Sequence, residues 1–220
     1  MVIIRLSLLF QAVLLKGYIY DQTEVDSSVV GCGSSVHLRN VETGFILHPQ
    51  RIIYGTGSGQ PAVTAASEAN NPNSLWLIKE AAGERPCPTG RKIVCGERIR
   101  LEHINTGKHL HSEKVFISPL SRNQEVSLYG TEEVEDTDDD WIIECNEDII
   151  KVGTIFSLRH AETKRYLHTN REHLYNNRNC RNCQISGQQE VSAINKWDKY
   201  CNWKIIGVRF ILNVRGYFIL

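Results

Sequence analysis

Three stretches decide how this sequence reads: CGSSVHLRNVETGFILHP from Cys32 to Pro49, CGERIRLEHINTGKHLHS from Cys95 to Ser112, and VGTIFSLRHAETKRYLHT from Val152 to Thr169. They align without a gap. Gly33, Gly96 and Gly153 coincide, as do Leu38, Leu101 and Leu158; Thr43, Thr106 and Thr163; Leu47, Leu110 and Leu167; and His48, His111 and His168. A second block follows in each unit: GQPAVT ending at Thr64, NQEVS ending at Ser127 and QQEVS ending at Ser192. Each unit then closes on a tryptophan and apolar residues: Trp76-Leu77-Ile78, Trp141-Ile142-Ile143 and Trp203-Lys204-Ile205. Self-similarity on this scale marks a repeat architecture.

Within a unit the apolar period is two. Val36 and Leu38 alternate with His37 and Arg39; Ile99 with Leu101, and Phe156 with Leu158, repeat the pattern. That is a half-buried strand. Glu42-Thr43-Gly44 and Asn105-Thr106-Gly107 are turn signals, with a glycine free to take positive φ. A further short strand follows through Leu47 or Leu110. A unit therefore holds about four short strands, and three units about twelve. One unit cannot cover its own apolar face, but three around an axis close a barrel with no free edge. The expected fold is all-β, a pseudo-threefold β-trefoil over residues 29–208, with units at about 29–82, 92–146 and 149–206 and a C-terminal tail at 209–220.

The chain has 220 residues, enough for one domain with a real core. It carries 25 Lys+Arg against 25 Asp+Glu, a formal net charge of zero, which argues against broad electrostatic binding to nucleic acid. Residues 1–16 read MVIIRLSLLFQAVLLK, with Arg5 ahead of an apolar run from Leu6 to Leu15. That run has the length of a secretory leader's apolar core and is short for a membrane span. A leader over 1–18 is the expectation; a buried N-terminal strand is the alternative. No later stretch is long and apolar enough to suggest a membrane span in the mature chain. Seven Cys suit an oxidising compartment.

The repeat resembles the MIR motif, and the chain as a whole resembles the stromal cell-derived factor 2 family, a leader followed by three MIR repeats. The stretches that carry the resemblance are YGTGSGQ (54–60), INTGKHLHS (104–112), SPLSRNQEVS (118–127), DDW (139–141) and ISGQQEV (185–191). The resemblance implies a non-catalytic protein of the endoplasmic-reticulum lumen, or a secreted one. It implies an accessory role in protein quality control, beside a J-domain co-chaperone and its ATP-driven chaperone, or with client proteins. MIR repeats also occur in sugar-transferring enzymes, so a lectin-like carbohydrate-binding module linked to O-mannosylation is the alternative. Family members often end in an HDEL-like retrieval tetrapeptide. This chain ends Tyr217-Phe218-Ile219-Leu220 and matches only at the last residue, so the expectation is that any retention relies on a partner.

Cys32 and Cys95 open the first strand of units one and two, where unit three has Val152. Cys87 and Cys145 lie beyond the fourth strands, where unit three has no Cys. The first and fourth strands of a trefoil unit run antiparallel, so this joint absence favours Cys32–Cys87 and Cys95–Cys145. The rival is a local Cys87–Cys95 loop. A loop of the longer kind stabilises by about 4 kcal/mol in the chain-entropy picture. Cys180, Cys183 and Cys201 remain; one disulfide and one leftover thiol is the expectation, against a zinc set with His173 or a redox Cys-x-x-Cys.

His48, His111 and His168 could converge on the pseudo-threefold axis and hold a metal; the expectation is that each satisfies a backbone group in its own hairpin. Glu132 to Asp140, EEVEDTDDD, is expected to be a solvated acidic loop, because Trp141 stands where a calcium loop needs glycine. Gly55-Thr56-Gly57-Ser58-Gly59 is not a nucleophile elbow, and no phosphate loop or HExxH motif occurs. No catalytic residue, metal or cofactor is therefore expected. Binding, if it has a surface signature, is expected in the second block: Tyr54, Ser58 and Gln60; Ser118, Asn123 and Gln124; Ser186, Gln188 and Gln189. Turn chemistry is the competing role for all nine.

Overall fold

The computed structural model describes residues 26–131, 133–134 and 136–210. The expected leader over 1–18 and most of the expected tail lie outside them. Thirteen strands are described: β1 (Ser34–Asn40), β2 (Ile46–Ile53), β3 (Pro61–Ala66), β4 (Trp76–Glu80), β5 (Arg98–His103), β6 (Lys108–His111), β7 (Gln124–Glu125), β8 (Ser127–Tyr129), β9 (Trp141–Glu144), β10 (Ile155–His160), β11 (Tyr166–Leu174), β12 (Gln189–Ile194) and β13 (Trp203–Phe210). The third strand of unit two is split at Val126 into β7 and β8, which is why thirteen replace the expected twelve.

The first and last strands of the units form a closed ring. β1 pairs β4, β4 pairs β5, β5 pairs β9, β9 pairs β10, β10 pairs β13, and β13 returns to β1, all antiparallel. Closure removes the exposed edges that three separate four-stranded units would leave. The middle strands form three hairpins, β2–β3, β6–β8 and β11–β12, which also pair with one another through β3–β8, β3–β12 and β7–β12 and cap one end of the barrel. This is a β-trefoil. Each unit begins at a glycine in the left-handed region, Gly33 (φ 76°), Gly96 (87°) and Gly153 (90°), whose N–H donates to Ile78, Ile143 and Ile205 in a last strand. A side chain there would be strained, so the three identities seen in the sequence have a backbone cause.

Alternation puts one residue in two into the bore. Val36, Ile99 and Phe156, then Leu38, Leu101 and Leu158, then Ile78, Ile143 and Ile205 form three stacked triads, leaving a void of only about 10 Å³. Trp76, Trp141 and Trp203 are fully buried, and each indole N–H donates to the carbonyl of its own unit's Leu47, Leu110 or Leu167, at 3.1, 2.9 and 3.0 Å. The tryptophan thus ties the last strand of a unit to its cap hairpin. Cys32 is bonded to Cys87 and Cys95 to Cys145, with Cα–Cα separations of 6.2 and 5.5 Å. No helix among the described residues is long and apolar enough to cross a membrane.

Candidate functional site

Two sets of polar side chains, one at the barrel wall and one at the cap, join the units. At the wall the set is Asn40, His103 and His160, the last residues of β1, β5 and β10. Each bonds forward to its own turn and sideways to the preceding unit. Asn40 Oδ1 accepts from the Thr43 N–H, while its amide donates to the Tyr200 carbonyl at 2.7 Å. His103 Nδ1 meets the Thr106 hydroxyl at 2.8 Å and its Nε2 the Asn73 carbonyl at 3.1 Å. His160 Nδ1 meets the Thr163 hydroxyl and its Nε2 the Asp138 carbonyl, both at 2.9 Å. A carbonyl can only accept, so Nε2 carries the proton on both rings. Burial lowers the pKa of His103 and His160 and keeps both neutral. The sequence reading did not single out these three. The signal was present as a polar residue three before each repeated threonine.

The receiving carbonyls belong to three 3-10 turns, Pro72–Ser74, Thr137–Asp139 and Lys199–Cys201, each leading into a buried tryptophan. Asn71, Asp136 and Asp198 cap them through their side chains. The repeat-equivalent histidines face these turns and not one another. His48 Nδ1 meets Ser74 Oγ at 2.6 Å, His111 Nδ1 meets Asp139 Oδ1 at 2.9 Å, and His168 Nε2 lies 3.6 Å from Asp198. Each imidazole serves its own unit, but its partner is a side chain of the turn or its cap and not the hairpin backbone group expected.

The acidic run departs from the solvated loop expected. Glu132 and Glu135 lie outside the described residues, but Asp139 and Asp140 are fully buried. The turn before Trp141 presses Asp139 against His109 and His111 of the cap hairpin and Asp140 against Ala82 and Arg98 at the barrel wall. Burial opposes the Asp139 charge, yet His109, 3.5 Å away, and His111, hydrogen-bonded at 2.9 Å, hold its pKa below the usual carboxylate value. Asp140 accepts from the Ala82 N–H at 2.9 Å and lies 3.5 Å from Arg98; burial raises its pKa to about 6.

The nine second-block residues cluster in the cap. A ring of side-chain bonds runs around it from unit to unit. Ser127 donates to Gln60, Asn123 donates to Ser192 at 3.2 Å, and Thr64 donates to Gln188. Glu125 accepts from Ser58, and Glu190 accepts the backbone N–H groups of Leu120 and Ser121 at 2.7 and 2.8 Å. Unit one has Ala62 at that position, so the carboxylate joint is made twice. Tyr54 is buried and donates to the Val126 carbonyl at 3.0 Å. Gln124, also buried, donates to Ser112 Oγ at 2.7 Å; buried Gln189 accepts from Thr169; buried Ser118 donates its N–H to Asn123. Ser186 is the one of the nine that is exposed. Gly57 has φ 84°, and a side chain there would run into the Glu125 carboxylate. Three apolar side chains also stand out at the rim: Ile53 is 64% exposed, Val115 76% and Ile117 41%.

Cys180 and Cys183 are bonded, and Cys201 is a buried free thiol whose pKa burial pushes up to about 12. Such a thiol is inert as a nucleophile. The Cys180–Cys183 bond removes both from a zinc set.

A family model described as MIR domain matches residues 45–148. Human stromal cell-derived factor 2 is 38% identical over 193 residues, 87% of this chain and 87% of that protein. The SDF2-like protein of Arabidopsis thaliana superimposes with a TM-score of 0.75 at 33% identity, over 83% of this chain and 97% of that one. A chain of the S. cerevisiae protein O-mannosyltransferase complex, solved with its sugar donor, superimposes with a TM-score of 0.73 at 25% identity. That match covers 89% of this chain but 28% of the transferase chain, so the likeness is to one part of it. Three repeats, a closed trefoil and this shared identity over nearly the whole length agree: the chain belongs to the stromal cell-derived factor 2 family.

Proposed function

We propose that this chain is a non-catalytic accessory of chaperone-mediated folding in the endoplasmic-reticulum lumen, working beside a J-domain co-chaperone and its ATP-driven chaperone, or on client proteins. The observation that supports this most is the relation to stromal cell-derived factor 2 over 87% of both chains. The site chemistry is in keeping with it. The polar groups of the cap bond across unit boundaries and hold the scaffold rigid. The free thiol is buried. Apolar side chains stand out at the cap rim, at Ile53, Val115 and Ile117, where a protein partner gains by covering them.

The test is to mix the purified chain with purified lumenal J-domain protein and its chaperone, and to resolve complexes by size. A complex that persists at micromolar concentration supports the reading. Absence of any complex, or sugar transfer or substrate cleavage by the chain unaided, overturns it. The second reading, carbohydrate binding, draws on a separate observation, a groove between units two and three.

A further inference from the structure

The trefoil makes three pseudo-equivalent grooves, each where the last strand of one unit meets the first strand of the next. Their contents differ. Between units one and two the space is taken by ion pairs: Lys79 with Glu102 at 3.2 Å, Arg98 with Asp140 at 3.5 Å, and Arg100 with Glu80 at 3.6 Å. Between units three and one the groove is about 220 Å³, and His37 crosses it to the Asn71 carbonyl at 3.1 Å. Between units two and three it opens to about 780 Å³. That is within the roughly 300–1,000 Å³ typical of small-ligand sites.

The large groove also has what its sisters lack. Trp197 stands on its wall, six residues before the buried Trp203. The positions six before Trp76 and Trp141 are Asn70 and Glu135. Trp197 is 48% exposed, whereas Trp76, Trp141 and Trp203 are fully buried. It is nonetheless fixed, since its indole N–H donates to Ser157 Oγ at 2.9 Å. A ring pinned by its polar edge and left bare on its apolar surface is a preformed platform. Around it lie Glu144, Asn146, Glu147, Asn202 and Tyr166. Arg159 bonds Glu144 and offsets its charge. No lysine or arginine among the described residues lines the groove, which disfavours anions.

We propose that this groove binds a hexopyranose residue of a glycan, stacked on Trp197. A pyranose ring has a face of C–H groups and a rim of hydroxyls. The C–H face suits the indole. The hydroxyls donate to Glu144 and Glu147 and exchange hydrogen bonds with the Asn146 and Asn202 amides, which offer both donor and acceptor. The proposal gives the carbohydrate reading a place. It is independent of chaperone association, and its failure leaves that reading standing.

The test is titration of the labelled chain with methyl mannoside, methyl glucoside and methyl galactoside, followed by indole and backbone N–H resonances. Binding by one shallow platform is expected on the order of millimolar. At least one glycoside should shift the Trp197 indole and the amides of residues 144–147 and 153–157 saturably. Trp197→Ala should weaken binding about tenfold or more, Trp197→Phe by only a few fold because a ring remains, and Ser157→Ala by an intermediate factor through a loosened indole. Unchanged thermal midpoints would show that the variants fold, and chaperone association should be unaltered in all three. The proposal is overturned if no glycoside shifts these resonances, if saturable shifts survive Trp197→Ala, or if tetramethylammonium binds the groove in preference to every sugar.

Discussion

Replacing His160 separates a joint between units from mere burial. The ring is fully buried and does three things. Its Nδ1 accepts from Thr163, its Nε2–H donates to the Asp138 carbonyl of unit two, and it sits edge-on to Trp141 at 5.0 Å. Each hydrogen bond is worth about 1 kcal/mol net and the aromatic pair about 0.5–1.5. His160→Ala should therefore cost about 3 kcal/mol, and roughly 6–12 °C in thermal midpoint for a domain of this size. His160→Asn is the informative partner, because unit one already uses Asn40 for the same two bonds. It should keep both and lose only the ring contact, about 1–1.5 kcal/mol. Urea unfolding followed by tryptophan fluorescence reads the difference. The pH dependence adds a second check. The folded pKa of His160 is depressed, so its contribution is present above the unfolded value of 6.5 and is lost as pH falls through the folded value. The advantage of wild type over the Asn variant should shrink in acid. Equal destabilisation by Ala and Asn, or an Ala cost under about 1 kcal/mol, would refute the joint.

Three further outcomes are expected. Trp141→Ala removes a fully buried ring and its bond to Leu110 and should cost about 3–5 kcal/mol in the same unfolding assay. Gly57→Ala places a methyl at φ 84° against Glu125 and should cost about 1–3 kcal/mol, whereas Gly44→Ala, with open space around it, should cost less. Asp140 has a folded pKa raised to about 6, so the stability linked to its proton is present below the unfolded 3.8 and lost as pH rises through about 6. Asp140→Asn should gain on wild type by about 1–3 kcal/mol between pH 4 and 7; a constant difference across that range would contradict the burial of a charge there.

The repeat made the architecture legible because its causes are local. Period-two alternation, a glycine held at positive φ and a closing tryptophan are imposed on each unit by its own backbone and core. What the sequence hid depends on the neighbouring unit. Gln60, Asn123 and Gln188 read as loop residues, yet each is matched to a hydroxyl in the next unit. Asn40, His103 and His160 escaped notice because an amide and an imidazole perform one task with different letters. Asp139 and Asp140 looked solvated because nothing in the run names His111 or Ala82 as partners. Trp197 had no repeat partner to mark it, and its asymmetry is what the folded comparison of grooves brings out.

The most direct test of a role beside lumenal chaperones is a calorimetric titration of the purified chain with a lumenal J-domain protein, repeated with Val115→Glu. Val115 is 76% exposed, so the charge should leave the fold intact. Micromolar or tighter binding by the wild type, weakened at least tenfold by the added charge at an unchanged thermal midpoint, is the predicted result. No heat of binding with the wild type would contradict the account.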